Sequence, residues 1–306
     1  MGRRLRRHEP GTYHMVTTRC HQGCFRLRPE PAINEAVLEW LARAQRNYPE
    51  VLIHAVAVMS NHLHLVVYDT LGELAGWASY FLGNLARSVN EIRERRRGVV
   101  FERRYAAAPV LDDAALLDRL VYVVTNPVRA GLCEASCFWS GVVLWAGTGE
   151  PESREVSWID RDPYRRARHR AKKRGKAPPD PEGFRTSGTL VLHSLAGHRV
   201  SEAIEGRERE LAAEREFSGR LAMTHEEVLA QAWNDAPRHP EYSPQPACHA
   251  SERSLREAFL EGFREFVAAF RRASVQWRAG CLDVAFPLWS YPPGRPLIRP
   301  AEARAG

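Results

Sequence analysis

Met59-Ser60-Asn61-His62-Leu63-His64-Leu65-Val66-Val67 is the stretch on which the reading of this chain turns. Its composition is that of a buried strand, and side chains along a strand alternate between faces. His62 and His64 therefore point one way, while Leu63, Leu65 and Val67 point the other way, into a core. Two imidazoles side by side on a rigid strand make half of a metal site. The preceding run, Val51 to Met59, is almost continuously apolar and reads as a central strand, so Ser60-Asn61 turns a hairpin.

Working outward, Thr12 to Arg19 is rich in β-branched residues and reads as a first strand. Ile33 to Tyr48 has its apolar residues at helical spacing and is closed by Pro49. Leu74 to Arg97 reads as a long helix with a basic end, and Arg104 to Val110 as a fourth strand. Asp112 or Asp113 then caps a helix running to about Thr125, because Asn126 precedes a proline and leaves helical space. The order β-α-β-β-α-β-α predicts an α+β fold with a ferredoxin-like antiparallel sheet, helices on one face and the other face presented to a ligand. On the last helix Leu117, Leu120, Val121 and Val124 form the apolar stripe. Tyr122 and Asn126, four residues apart on one face, fall about 140° to 180° from its centre. The tyrosine is thus expected to face away from the packed side.

The chain's 306 residues suggest more than one domain. Three segments are expected: 1–148 as a unit carrying His62, His64 and Tyr122, 149–182 as a basic, Pro-containing linker or arm, and 183–306 as a mainly helical extension of unassigned role. Arg161 to Lys176 holds nine Lys or Arg against a single Asp. Thr224 to Glu227 and Ser254 to Glu257 both read as capping boxes opening helices. Leu255, Phe259, Phe263, Phe266 and Phe270 form an apolar stripe expected to be core. The six cysteines do not demand disulfides in a chain of this size and read as buried free thiols, with zinc at the Cys20/Cys24 and Cys133/Cys137 pairs the weaker alternative.

Lys and Arg outnumber Asp and Glu by 44 to 37, and the pI is about 9.3, which favours a polyanionic partner. No apolar run approaches the ~20 residues of a membrane span, and the N-terminus lacks the apolar region of a signal peptide. The expectation is a cytoplasmic, nucleoid-associated protein with no membrane partner. His14 and His54 read as structural. Arg3, Arg4, Arg6 and Arg7, with Arg165, Arg166, Arg168, Arg170, Lys172 and Lys173, are expected to contact nucleic acid.

Tyr13-His14-Met15-Val16-Thr17, the Met59 to His64 segment, and Tyr122 followed by Asn126-Pro127-Val128-Arg129-Ala130-Gly131-Leu132 together resemble the single-tyrosine HUH transposases, and within them the REP-associated tyrosine transposases of bacteria. The resemblance covers roughly residues 10 to 145. It departs at Ser60, where the family commonly has proline, and at Arg104-Tyr105-Ala106-Ala107, where it commonly has Arg-Phe-Lys-Ser. By position it implies that His62, His64 and Asn126 ligate a divalent metal, Mg or Mn, and that Tyr122 is the nucleophile. The implied activity is metal-dependent cleavage and strand transfer on single-stranded or hairpin DNA through a 5′-phosphotyrosine. A homodimer is compatible with this reading. The alternatives are a domesticated regulator that binds structured repeats without transposition, and an RNA-binding sheet protein.

Overall fold

The computed structural model describes residues 5–96, 98–102, 104–147, 149–195, 199–219, 221–237 and 245–293. The first half holds β1 (Thr12–Arg19), α1 (Pro31–Asn47), β2 (Val51–Val58), β3 (His62–Asp69), α2 (Leu74–Ile92), β4 (Ala106–Val110), α3 (Asp113–Val124), the single turn α4 (Asn126–Arg129) and β5 (Val143–Trp145). The second half holds β6 (Glu152–Ile159), α5 (Arg161–Lys173), β7 (Arg185–Leu192), α6 (Val200–Ser218), α7 (His225–Ala230) and α8 (Arg253–Arg278). No helix among the described residues is long and apolar enough to cross a membrane.

These seven strands form one mixed sheet in the order β4-β1-β3-β2-β7-β6, with β5 also paired to β2. The first four strands pair antiparallel throughout, whereas β7 runs parallel to β2 at Ile53 and Leu192. The chain is therefore α+β, but the sheet extends past the segment from which an antiparallel sheet was expected. The span 149–182, read as a linker or arm, contains β6 and α5. In the span read as mainly helical, β7 adds a strand.

The expectation of helices on one face does not hold. On one side α1 and α2 pack on Val16, Ile53, Val56, Leu63, Leu65 and Val67 around Trp77 and Phe81. On the other, α3 and α6 pack on Met15, Ala55, Ala57 and Val66 through Leu116, Leu120, Val123 and Ile204. The reason is legible in β2, where all residues but Leu52 are buried. A strand apolar on both sides needs cover on both sides. The face that carries His62 and His64 is thus roofed by a helix over most of its length.

Helix starts follow local chemistry. Pro31 opens α1, where a missing N–H costs nothing. The Asp112 carboxylate accepts from Ala115 N at 2.8 Å and caps α3. The Thr224 capping box forms as expected, with both its bonds present. The Ser254 box does not: the cap position falls two residues earlier, at Glu252, and α8 begins at Arg253. Of the α8 stripe only Phe266 is buried, while Phe259 and Phe263 stack half-exposed. All six cysteines are free, Cys137 and Cys281 exposed and the other four buried.

His14 and His54 are buried, and burial pushes each down to about 4. His54 lies at the β2 irregularity between the rings of Tyr13 and His193, 5.3 and 6.1 Å away. In the unfolded chain both imidazoles protonate near the ordinary 6.5. As pH falls below that value the unfolded state binds protons that the native state refuses, so stability drops. We expect a loss on the order of 2 kcal/mol per buried histidine between pH 7 and pH 5, and no pH dependence from them above 7. Melting curves at pH 7, 6 and 5 test this. A wild-type profile no steeper than that of a His14→Gln/His54→Gln variant would contradict it.

Candidate active site

The site is built on the β1–β3 register. Thr17 pairs with His64 and Arg19 with His62, so each pair shares a face. Thr17 Oγ1 and His64 Nδ1 share a hydrogen bond of 2.8 Å. Ala57 on β2 also pairs with His64, and Ala106 on β4 pairs with Thr17. Small neighbours leave room above the His64 ring for a side chain arriving from α3.

The hairpin turn orients the other imidazole. Asn61 Nδ2 donates to Gly23 O at 3.1 Å, which turns Asn61 Oδ1 toward His62 Nδ1 at 2.7 Å. An amide oxygen only accepts, so Nδ1 carries the proton and Nε2 is left with a free lone pair. The turn backbone is held by Cys20 N to Asn61 O at 2.7 Å and Leu27 N to Ser60 O at 2.9 Å. The two imidazole rings lie edge-on, with centroids 4.9 Å apart. Burial is the main reason both resist protonation. It lowers His62 to about 4, aided by Arg19, and lowers His64 well below its ordinary value, aided by His62, Arg19 and Arg119. Neutral imidazole is the ligating form.

From above, α3 brings Tyr122. Its ring meets His64 edge-on at 5.5 Å between centroids. The helix is turned differently from the sequence expectation: Leu116, Leu120, Val123 and Val124 face the core, Leu117 and Val121 are half-buried, and Tyr122 is half-buried on the flank. The cause is α6, which packs against α3 from a second direction and shifts its buried stripe. Thr125 ends α3, its hydroxyl donating back to Val121 O at 2.8 Å. Asn126 then starts the α4 turn ahead of Pro127. It is buried, and its side-chain amide lies beside His62. The four residues singled out from the sequence, His62, His64, Tyr122 and Asn126, are therefore brought together.

Sequence reasoning missed four contributors. Thr17 and Asn61 fix the two imidazoles. Arg119 and Arg129 flank Tyr122, with Cζ 4.9 and 5.3 Å from the ring centroid. Arg119 had a signal, since it lies three residues before Tyr122 on a helix. Thr17 had none without the strand register.

The expected nucleic-acid contacts fare unevenly. Arg3 and Arg4 lie outside the described residues. Arg6 stacks on the Tyr105 ring at 3.6 Å and donates to the Tyr105 carbonyl, and Arg7 pairs with Glu9 at 3.2 Å and lies over Trp289. Both are engaged within the chain. Arg165, Arg166, Arg168, Arg170, Lys172 and Lys173 are exposed on α5, where Arg165 pairs with Asp162. Arg161 ties the start of α5 to Ser88 at 2.8 Å and to Glu39 and Glu91, in the α1–α2 layer on the far side of the sheet from the histidines.

No family model and no curated protein matches this chain. Among solved structures it is similar to a REP-associated tyrosine transposase bound to a REP hairpin, with a TM-score of 0.34 and 14% identity over 45% of this chain and 78% of that one. A likeness of that size carries no argument of its own.

Among the described residues no group of three or more His, Cys, Asp or Glu is placed to hold a metal. A divalent ion at this site would need a ligand of another type, and the Asn126 amide beside His62 is of the right kind. The fit rests on two neutral imidazoles whose Nδ1 atoms are held by Asn61 and Thr17, outer partners of the sort that orient ligating histidines.

Proposed function

We propose that the chain is a metal-dependent endonuclease and strand transferase for single-stranded DNA, acting next to hairpins, with Tyr122 as nucleophile. The observation that carries this reading is the convergence of a phenol, two neutral imidazoles and an amide at one end of the sheet, 4.9 and 5.5 Å between successive rings. Core packing does not call for such a set. The first four strands, in the order β4-β1-β3-β2 and antiparallel, agree with a ferredoxin-like core on which the site is mounted.

In this mechanism the Tyr122 oxygen attacks the phosphorus of a phosphodiester. A bond forms from the phenolic oxygen to phosphorus, the bond to the 3′ oxygen breaks, and the phenolic proton ends, net, on the released 3′-hydroxyl. The 5′-phosphotyrosine conserves the bond energy, so attack by another 3′-hydroxyl reverses the step and joins strands. His62, His64 and Asn126 would hold Mg or Mn, which supplies Lewis-acid stabilisation of charge on the phosphate. Tyr122 lies on one flank of a helix over a strand-mounted pair, so the phosphate must enter a fixed gap. A single strand beside a stem can bend into it, whereas stacked duplex resists.

The test uses one oligonucleotide with a 5′ extension, presented as a hairpin and annealed to its full complement. A denaturant-stable protein–DNA adduct is expected with the hairpin and little or none with the duplex. Equal cleavage of both would replace this reading with a double-strand nuclease. Tight hairpin binding with no adduct under any divalent ion would leave a binding protein.

A further inference from the structure

Two guanidinium groups lie close to the Tyr122 ring, and the chemistry above gives them no task. Arg119 precedes Tyr122 by one helical turn, the spacing at which side chains on a helix face meet. Arg129 follows it by seven residues, a rise of about 10.5 Å in an unbroken helix. The break at Thr125 and the length of the arginine side chain close that gap to 5.3 Å. Among the described residues no carboxylate pairs with Arg129, which is exposed. Among the described residues the carboxylate partner of Arg119 is its neighbour Asp118, whose side chain is 66% exposed, and an ion pair so open to water is weak. Like charges gathered round a neutral group repel unless an anion sits among them.

We propose that Arg119 and Arg129 form a phosphate clamp that grips the nonbridging oxygens of the phosphodiester presented to Tyr122. A planar guanidinium offers paired N–H donors whose spacing matches two oxygens of one phosphate. Two such groups, with Cζ 4.9 and 5.3 Å from the centroid of the Tyr122 ring, would hold the phosphate beside the phenol. The clamp takes its location from the reading of Tyr122 as nucleophile, but it is a claim about binding and is measured without chemistry.

The experiment uses the full chain carrying Tyr122→Phe, which keeps the ring beside the two arginines, and a fluorescent hairpin with a 5′ single-stranded extension. Affinity is measured across a series of KCl concentrations. Arg119→Gln and Arg129→Gln should each weaken binding about tenfold and flatten the log-affinity against log-salt slope by about 0.7, the loss of one phosphate contact on a single strand. Arg119→Lys and Arg129→Lys should keep the slope and lose part of the affinity, because the charge remains and the fork does not. Unchanged affinity in the Gln variants overturns the clamp. So does lower thermal stability with an unaltered slope, the signature of arginines that only pack on the ring. If the Gln variants melt below the assay temperature, the Lys variants decide, and wild-type affinity in them overturns it. Loss of binding in the arginine variants alongside a Tyr122→Phe protein that still forms adduct would keep the clamp and move the nucleophile. An adduct at Tyr122 with arginine variants that bind normally would do the reverse.

Discussion

Tyr122→Phe is expected to lose adduct formation on a hairpin substrate by on the order of 10⁴-fold or more, while its affinity for the same DNA stays within about twofold. The substitution removes one oxygen and leaves the ring, so the contacts to His64, Arg119 and Arg129 persist. Loss of adduct with binding retained separates a nucleophile from a packing residue. Two other tyrosines near the N-terminal strands are poor substitutes. Tyr105 is buried beneath Arg6, and Tyr13 packs against Tyr68 and His54. Burial raises both phenols above their ordinary pKa, which makes the phenolate harder to form. Adduct mapped to either of them in the variant would nonetheless displace Tyr122.

His64→Ala should be nearly as damaging. It removes one of the two imidazoles and leaves Thr17 without its partner. We expect activity in neither Mg nor Mn at concentrations that saturate the wild type, and none from the wild type in excess chelator. The graded companion is Thr17→Val, which keeps the imidazole and removes only the group that orients it. Loss of such an outer partner typically costs 10–100-fold in metal affinity. Its activity should therefore return at higher metal, whereas His64→Ala should not recover. Full cleavage in chelator would remove the metal from this site altogether.

Much of this geometry could be read from residue order because strand alternation is rigid. His62 and His64 share a face whatever surrounds them, and Pro127 marks the end of the tyrosine helix wherever that helix packs. The rotation of α3 is a different matter. It depends on α6, some eighty residues later, and no local pattern in Leu117 to Val124 reports that neighbour. The strand β6 did leave a signal: Val156 and Trp158 are buried while Glu155 and Ser157 are exposed. That alternation is short, and the dense basic run that follows it suggested a linker instead. Arg6 and Arg7 were read from charge alone, and charge does not show that an aromatic ring lies within reach. The paired arginines around Tyr122 went unread because one of them reaches it only across a helix break.

The parallel pairing of β7 on β2 bears on how the site breathes. Trp158, Leu190 and Leu192 bury themselves in the same cluster as Leu63 and Leu65, the residues that alternate with His62 and His64. Opening of the β6–β7 strand pair would unzip one neighbour of β2 and wet the underside of β3. Amide protons of β2, β3 and β7 should accordingly exchange with solvent as one cooperative group, at a common free energy, rather than as separate layers. The half of the chain that lacks His62, His64, Tyr122 and Asn126 would then set how long the two imidazoles keep their places.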